Sequence, residues 1–245
     1  MRLLVDLGNT RLKWAQQTTG DWRMDAAVLA EHDVVPVLDK AWRVMPAPEK
    51  IVISSVSSPE TLKVVTRWIE RNWSITPHVL RAQAEQLGVR NRYTDPATLG
   101  ADRWAALIAV RGLTSSPACI VDCGTAVTVD ALSADGEFLG GVIFPGLHLL
   151  RSSLTRGTQG IKVADGNETE CLAHSTADGV AAGTLFGLVG ALEHLIQEYR
   201  KTLGEGMQVF LTGGDALRLA PRLKEAVTQT PDLVLKGLAR VADSL

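Results

Sequence analysis

One pattern occurs twice in this chain, and it restricts the possible folds more than any other feature. The segments LLVDLGNTRLKWA (residues 3–15) and CIVDCGTAVTVDA (residues 119–131) share the same order of residue types. Each has an apolar run, an Asp, one further residue, a Gly, a polar donor and a second strand-like run, which together predict a β-hairpin. Two copies so far apart do not form a short-period repeat. We therefore expect two structurally similar domains, each of which contributes one hairpin to a shared cleft.

Short strand-like runs alternate with longer helical stretches along the chain, which indicates an α/β architecture. The predicted strands cover residues 3–6, 11–15, 51–54, 120–122, 126–131, 138–143 and 209–212. The predicted helices cover residues 58–71, 100–113, 146–154, 176–203 and 215–223. The turn-forming segment TSSP at residues 114–117 predicts the boundary between domains at residues 1–114 and 115–245.

Composition excludes several classes of protein. The chain has 245 residues, of which 46% are hydrophobic and 21% charged, as in a globular protein with a packed core. A net charge of −2 predicts neither a nucleic-acid surface nor a polybasic membrane patch. The three cysteines form no CxxC motif, and the apolar run at residues 180–192 is too short to span a bilayer. We expect a cytoplasmic protein that binds neither nucleic acid nor membrane.

The turn of the first hairpin has the properties of a phosphate-binding loop. Its Gly lets the backbone approach a ligand closely, and successive N–H groups in a turn form an anion-binding concavity. Asn9 and Thr10 add side-chain donors, Lys13 adds a positive charge, and Asp6 would hold hydrated Mg²⁺. The alternative is an ordinary hairpin with a capped Asp. The second copy at residues 122–125 favours phosphate binding, although neither a Walker A nor a Rossmann motif occurs.

The segment TLGADRWAAL (residues 98–107) opens a predicted helix and places Asp102 in its first turn. A carboxylate there could accept the proton of an alcohol nucleophile, with Arg103 binding a substrate oxygen or carboxylate. The alternative is that Asp102 only complements the helix dipole and that Arg103 is a surface charge. Spacing alone favours this alternative.

Glycines mark two further features. Gly179, Gly183, Gly187 and Gly190 recur at helical spacing, and glycines inside a helix cost stability unless another backbone packs close by. They predict a tight helix–helix contact within or between subunits. The segment GGVIFPG (residues 140–146) predicts a close backbone approach to a ligand or to another chain.

Five motifs, in chain order, resemble those of the type III pantothenate kinases. They are D-x-G-N-T, L-G-x-D-R-W, V-D-x-G-T-A-x-T-x-D, G-G-x-I-x-P-G and T-x-x-G-x-x-x-G, and they extend over nearly the whole chain. The resemblance implies the acetate and sugar kinase/Hsp70/actin superfamily, with two ribonuclease-H-like domains and an interdomain ATP cleft. It also implies ATP-dependent phosphorylation of pantothenate to 4′-phosphopantothenate, the first step of coenzyme A synthesis. Family members are homodimers that need Mg²⁺ and a monovalent cation, K⁺ or NH₄⁺.

The resemblance also implies roles for individual residues. The ATP contacts would be Asp6, Leu7, Gly8, Asn9, Thr10, Arg11, Leu12, Lys13 and Thr125. The pantothenate contacts would be Tyr93, Gly100, Ala101, Asp102 and Arg103, with Thr176 reaching the substrate from the partner subunit. Asp102 would be the general base, Asp122 would bind the monovalent cation, and Asp6 would bind Mg²⁺ through water.

Two alternatives keep part of this interpretation. The chain could be another kinase or a phosphatase of the superfamily, acting on a sugar, acetate or polyphosphate; Tyr93, residues 100–103 and Thr176 argue against this. It could also be a regulatory member that binds ligand without turnover. Loss of Asp6, Asp102 or Asp122 would indicate that, and all three are present.

Overall fold

The structure is a computed structural model that describes residues 1–29, 33–161 and 166–245. The strands are β1 Arg2–Leu7, β2 Arg11–Thr18, β3 Asp21–Val28, β4 Lys50–Ser55, β5 His78–Val79, β6 Glu85–Gln86, β7 Val89–Asn91, β8 Ala118–Cys123, β9 Ala126–Leu132, β10 Glu137–Pro145, β11 Gln208–Thr212 and β12 Val227–Gln229. The helices are α1 Val35–Ala41, α2 Pro59–Trp73, α3 Ala101–Leu113, α4 Leu147–Gly157, α5 Thr176–Leu203, α6 Ala216–Leu219 and α7 Leu233–Ser244. The predicted α/β class is therefore confirmed.

The described residues form two compact units. The first unit consists of Met1–Thr114, Gly136–Phe138 and Asp232–Leu245, and the second of Ser115–Asp135 and Leu139–Pro231. The chain first passes from one unit to the other between Thr114 and Ser115, within the segment TSSP where the boundary was predicted. The last residues differ from the prediction, because they belong to the first unit and not to the second.

The packing of α7 explains why the last residues belong to the first unit. The helix lies against α3, β4 and β1, all of which are in the first unit. Gly237 allows the close approach to α3, since a Cβ at this position would lie 1.9 Å from the carbonyl oxygen of Ala105. The buried face of α7 therefore completes the core of the first unit.

Both units are built on the same strand order. The sheet of the first unit runs β3-β2-β1-β4-β5, and the corresponding strands of the second unit run β10-β9-β8-β11-β12. In each unit the first strand of the repeated hairpin pairs antiparallel with its successor and parallel with a later strand, β4 or β11. The repeated sequence pattern thus corresponds to a repeated architecture, as predicted.

One apolar cluster of the first unit lies on one face of its sheet. Alternate β1 residues Leu3, Val5 and Leu7 pack there with aliphatic residues of β4. Tryptophans fill the rest of this core: the ring of Trp42 lies 5.8–6.0 Å, centroid to centroid, from three others, Trp14, Trp68 and Trp73. Aromatic rings at this separation bury a large apolar area in edge-to-face or stacked contacts.

The core of the second unit is formed by β8, β9, β11 and α5. Leu185, Leu188, Leu192 and Ile196 of α5 are all buried in it. By length and composition alone, α5 is apolar enough to cross a membrane, but these side chains pack against the sheet. Cys119 belongs to the same core, and burial raises the pKa of its thiol to about 12, so that it acts as a small apolar residue.

One predicted helix is interrupted. Residues 215–223 form the short helix α6 followed by a 3₁₀ turn at Ala220–Arg222. Pro221 has no N–H to donate to a preceding carbonyl and its ring crowds the turn before it, so an α-helix does not continue through it.

Candidate active site

The turn of the first hairpin brings its donors to the protein surface. Gly8 N–H donates to the carbonyl of Arg11 at 3.0 Å, and a Cβ on Gly8 would lie 3.1 Å from that oxygen. Asn9, Thr10 and Arg11 are exposed. The side chains of Leu7 and Leu12 are fully buried, so either residue can contact a ligand only through its backbone.

Asp6 is a buried carboxylate at the end of β1, with 8% of the residue exposed. Lys13 is its partner in the antiparallel register, and the two are joined by 3.9 Å between Lys13 Nζ and Asp6 Oδ2. Its parallel neighbour is Ser54, whose buried hydroxyl has no hydrogen-bond partner among the described residues. This polar surrounding suits hydrated Mg²⁺, which needs only one or two carboxylates besides phosphates and waters. Across the described ranges, no three His, Cys, Asp or Glu side chains form a metal-binding group.

Asp102 lies in the first turn of α3, as predicted. Its Oδ1 accepts the backbone N–H of Arg103 at 2.7 Å. Gly100 leaves the space for this arrangement, since a Cβ there would lie 2.6 Å from Asp102 Oδ1. Burial raises the pKa of Asp102, and the hydrogen bond and charge of Arg103 and the charge of Lys13 oppose that rise. The carboxylate is therefore held in place and is more basic than an ordinary Asp.

Arg103 is buried, with 6% of the residue exposed, so the interpretation as a surface charge is wrong. Its Nη1 donates to the hydroxyl of Tyr93 at 3.0 Å. Tyr93 is in turn held by Asn91, whose Oδ1 accepts the Tyr93 N–H at 3.0 Å. Ala101 is also buried and can reach a ligand only through its backbone. A buried guanidinium of fixed orientation is suited to a planar anion such as a carboxylate.

The turn of the second hairpin is held by a further glycine. Gly124 N–H donates to the carbonyl of Ala126 at 3.1 Å, and Gly146 N–H donates to that of Thr125 at 3.0 Å. A Cβ on Gly146 would lie 2.3 Å from the Gly124 oxygen, so glycine is required there. At Gly146 the backbone thus closely approaches a turn of the same chain, whereas the sequence predicted an approach to a ligand or to another chain. The Thr125 residue itself is exposed.

Asp122 is the second-to-last residue of β8, shortly before that turn, and is half-buried. It is opposite Thr128 in the antiparallel register and beside Thr212 in the parallel register. Gly213, with φ of +96°, leaves the space for the carboxylate, because a Cβ there would lie 2.5 Å from Asp122 Oδ1. The cross-strand neighbours of this carboxylate are therefore hydroxyl-bearing residues.

Thr176 is the exposed first residue of α5 and lines a groove between α4 and α5. The groove has a volume of about 600 Å³ and is lined by Phe144, Leu150, Ser153, Leu154, Thr176, Gly179, Val180, Gly183, Thr184, Gly187, Leu188 and Ala191. No described atom outside the helix lies within 4 Å of a Cβ built on Gly183, Gly187 or Gly190. The tight helix contact that these glycines predict is therefore not made within the part of the chain that the structure describes.

Asp232 is a residue that sequence reasoning missed. It directly precedes α7 with a φ of +61°, and burial raises its pKa while the charge of Lys13 opposes the rise. Lys13 thus interacts with Asp232 as well as with Asp6 and Asp102. Asp232 belongs to no motif, and only the packing of α7 on the first unit brings it near Lys13.

Comparison with known proteins identifies the family. The model of the type III pantothenate kinase family matches residues 2–198. The chain belongs to this family. Its function is the ATP-dependent phosphorylation of pantothenate in coenzyme A biosynthesis, with ATP and Mg²⁺ as the nucleotide and metal.

Individual relatives agree with this assignment. The type III pantothenate kinase of Nitrosococcus oceani is 39% identical over 99% of this chain and 94% of its own length. That of Nitrosospira multiformis is 39% identical over 98% of this chain and 90% of its own length. Among solved structures, a protein of Sinorhizobium meliloti described as a 2-dehydro-3-deoxygalactonokinase has a TM-score of 0.59 at 18% identity, covering 100% of this chain and 99% of its own. This likeness concerns the fold and agrees with two ribonuclease-H-like domains.

Proposed function

We propose that Asp102 is the general base of pantothenate phosphorylation. The observation that carries this assignment is the half-buried carboxylate at the start of α3, which the Arg103 N–H holds at 2.7 Å and whose pKa is raised by desolvation. A raised pKa improves a carboxylate as proton acceptor for an alcohol near neutral pH. Phosphoryl transfer usually has a loose transition state, so much of the contribution of Asp102 is to orient the pantothenate hydroxyl.

Residues around Asp102 bind pantothenate. The buried guanidinium of Arg103 binds the carboxylate of pantothenate, and Tyr93 holds that guanidinium in orientation through the 3.0 Å hydrogen bond. Gly100 and Ala101 contact the substrate through their backbone, because Gly100 has no side chain and Ala101 is buried.

The glycine-containing turns of the first and second hairpins bind ATP. Gly8, Asn9 and Thr10 offer backbone and side-chain donors to phosphate oxygens, and Lys13 adds a positive charge. Leu7, Arg11 and Leu12 complete the first loop, and the exposed Thr125 is a further contact on the second turn. Asp6 holds Mg²⁺ through water, and the ion supplies neutralisation of charge on the phosphates.

Asp122 binds the monovalent cation, K⁺ or NH₄⁺. In support, it is a half-buried carboxylate with Thr128 and Thr212 as cross-strand neighbours. A half-buried carboxylate attracts a cation more strongly than one in bulk water, because the local dielectric constant is lower.

The active form is a homodimer in which Thr176 reaches the pantothenate of the partner subunit. In support, the glycine face of α5 has no tight helix neighbour among the described residues, and Thr176 lines the adjacent groove. The dimer works in the cytoplasm and without nucleic acid or membrane, in keeping with a net charge of −2.

Co-expression of two inactive variants tests the dimer. Asp102→Asn removes the base, and Thr176→Glu places a like charge beside the anionic substrate. If Thr176 acts across the interface, mixed dimers contain one intact site, and a random 1:1 mixture regains about a quarter of the parent activity. No recovery in a confirmed mixed dimer would show that Thr176 acts within its own subunit or has no role.

The assay that tests the function is ATP-dependent phosphorylation of pantothenate by the purified protein, with the product identified by mass. It is run with and without K⁺ or NH₄⁺, beside a panel containing a sugar, acetate and polyphosphate. We expect 4′-phosphopantothenate, formed at a rate that depends on the monovalent cation. Phosphorylation of another acceptor in preference to pantothenate, or no product from a folded protein that binds ATP, would contradict the proposal.

A further inference from the structure

The short segment Gly136–Phe138 belongs to the first unit, although the residues on both sides of it in the sequence belong to the second. Glu137 and Phe138 are the first two residues of β10, and they pair in parallel with Arg90 and Asn91 of β7. Arg90 N–H donates to the carbonyl of Gly136 at 2.8 Å, and Arg92 N–H donates to that of Phe138 at 3.2 Å. This short segment is therefore fixed against β7 by main-chain hydrogen bonds.

Side chains and steric fit hold the segment further. The Glu137 carboxylate accepts hydrogen bonds from Arg90 at 3.2 Å and from Arg92 at 3.0 Å. Gly136 has a φ of +81°, and a Cβ there would lie 2.1 Å from the carbonyl oxygen of Gly88. Only glycine fits at that position, so the sequence before Phe138 is adapted to deliver this side chain to one place.

The place it reaches is the guanidinium of Arg103. Phe138 is fully buried, and its ring centroid lies 5.6 Å from Arg103 Cζ. The ring of Tyr93 lies 5.8 Å from the same Cζ and 5.2 Å from the Phe138 ring, at an interplanar angle of 43°. Both rings are within the distance at which the negative face of an aromatic ring stabilises a cation.

A buried cation needs such compensation. Arg103 is removed from most of its water, and desolvation of a charge is costly unless other groups replace the solvent. The hydroxyl of Tyr93 accepts one guanidinium N–H, while the two rings stabilise the charge without occupying further N–H donors. The aromatic contacts therefore do not compete with a carboxylate ligand for these donors.

We propose that Phe138 is a positioning residue for pantothenate recognition, which holds the charged guanidinium of Arg103 in the orientation that accepts the substrate carboxylate. This inference rests on the proposed role of Arg103. Because Phe138 acts through Arg103 and not on the transferred phosphate, its loss weakens binding of the anionic substrate and leaves the chemical step unchanged. It therefore determines specificity for a carboxylate-bearing acceptor.

The test compares two acceptors in Phe138→Leu. One is pantothenate, and the other is its neutral alcohol analogue, in which a hydroxymethyl group replaces the carboxylate but the reacting hydroxyl is kept. We expect the KM for pantothenate to rise about 3- to 30-fold, the range of a desolvated cation–π contact. The KM for the analogue, the KM for ATP and kcat with either acceptor should stay within about twofold of the parent, since the variant keeps the Arg103 charge and the backbone hydrogen bond of Arg103 to Asp102.

Three variants serve as controls. Phe210→Leu makes the same truncation at another buried strand position and should leave the ratio of the two KM values unchanged. Phe138→Tyr keeps an aromatic ring and should preserve most of the preference for pantothenate. If Phe138→Leu does not fold, Phe138→Met fills the same space with a flexible side chain and still removes the ring.

An equal rise in both acceptor KM values, or no change in either, would overturn the role of Phe138 and would indicate packing alone. Calorimetric binding of pantothenate to the parent and to Phe138→Leu separates this result from failure of the proposed function. A parent that binds pantothenate without phosphorylating it would contradict the proposed reaction, while the ratio of the two dissociation constants would still decide the role of Phe138. A parent that does not bind pantothenate would overturn both.

Discussion

The two hairpins have the same backbone design and different surroundings. In each, a carboxylate is the second-to-last residue of the first strand, and the glycine two residues later closes the turn with its N–H, at 3.0 Å in the first unit and 3.1 Å in the second. Asp6 is opposite a lysine, whereas Asp122 is opposite Thr128. Asp6 also pairs with Ser54 where Asp122 pairs with Thr212. A duplicated backbone has thus been given two different electrostatic environments.

This difference indicates a division of labour. The first turn has Lys13 as well as Asp6, and Asp102 and Arg103 belong to the same unit, so the first unit has the charges for phosphate, Mg²⁺ and pantothenate. The second turn has a carboxylate with threonines as cross-strand neighbours, which suits a single monovalent cation. Substitutions at equivalent positions of the two hairpins should therefore have different and distinguishable effects.

The largest effect is expected in the first unit at Asp102. Asp102→Asn should lower kcat on the order of 10²- to 10⁴-fold, because the amide cannot accept the proton of the pantothenate hydroxyl. Steady-state kinetics should show little change in either KM. Glu60→Gln is the matched control, since it also neutralises a carboxylate in the first turn of a helix, α2. Near-normal turnover by a folded Asp102→Asn would contradict its role as base.

Substitution of the first hairpin carboxylate should have the next largest effect. Asp6→Asn should lower activity about 10- to 100-fold, the usual result of losing a group that orients a metal-bound water. Raising the Mg²⁺ concentration should recover part of the loss, whereas raising K⁺ should not. Asp25 is an exposed carboxylate on β3, and the control variant Asp25→Asn should leave activity unchanged. A loss that responds to K⁺ and not to Mg²⁺ would reverse the proposed division of labour.

The equivalent change in the second hairpin should be smaller and should have the opposite ion dependence. Asp122→Asn should lower activity about tenfold, as expected for one lost hydrogen-bonded charge contact. The remaining activity should be the same with and without K⁺ or NH₄⁺, because the variant no longer binds the cation. An Asp122→Asn enzyme that is still activated by K⁺ to the parent's extent would place the cation elsewhere.

Gly146→Ala tests the packing of the second turn. The new Cβ would overlap the carbonyl oxygens of Gly124 and Thr125, so the free energy of unfolding should fall by about 1–3 kcal/mol. Gly157→Ala at the other end of α4 is the control, since no described atom beyond the neighbouring backbone of its own helix lies within 4 Å of its Cβ position. Denaturant unfolding measures both. Equal stability of the two variants would show that the turn adapts without cost.

The smallest effect is expected on the melting temperature of the protein, through the raised pKa of Asp102. Because burial raises its pKa in the folded protein, charging this carboxylate disfavours the folded state as pH rises above the ordinary range of Asp. Asp102→Asn should therefore melt at a higher temperature than the parent at neutral pH. The difference should vanish at low pH, where Asp102 is protonated in both states. A lower melting temperature for Asp102→Asn at neutral pH would show that the contacts of the carboxylate outweigh its burial.

The sequence by itself determined the parts of this protein that depend on local patterns. An apolar run with an Asp and a Gly defines a hairpin, so both copies and the α/β class were predicted correctly. The position of Asp102 in the first turn of α3 followed in the same way from the Gly before it and the apolar helix after it. Family membership followed from five such local motifs in order.

Elements without a strong local pattern were missed. Strand β3 is largely exposed and does not alternate apolar and polar residues. Main-chain hydrogen bonds to β2 hold it in place, so its sequence does not need an apolar face. The short strands β5, β6, β7 and β12 have two or three residues each, too few to show any periodicity.

Only the tertiary structure decided which distant segments meet at the site. It joined α7 to the first unit and so placed Asp232 near Lys13. It buried Arg103, which the sequence favours as a surface charge, and brought Phe138 to its guanidinium. The physical reason is that burial and charge compensation depend on side chains far apart in the chain, whereas hairpins and helix starts depend on neighbours within a few residues.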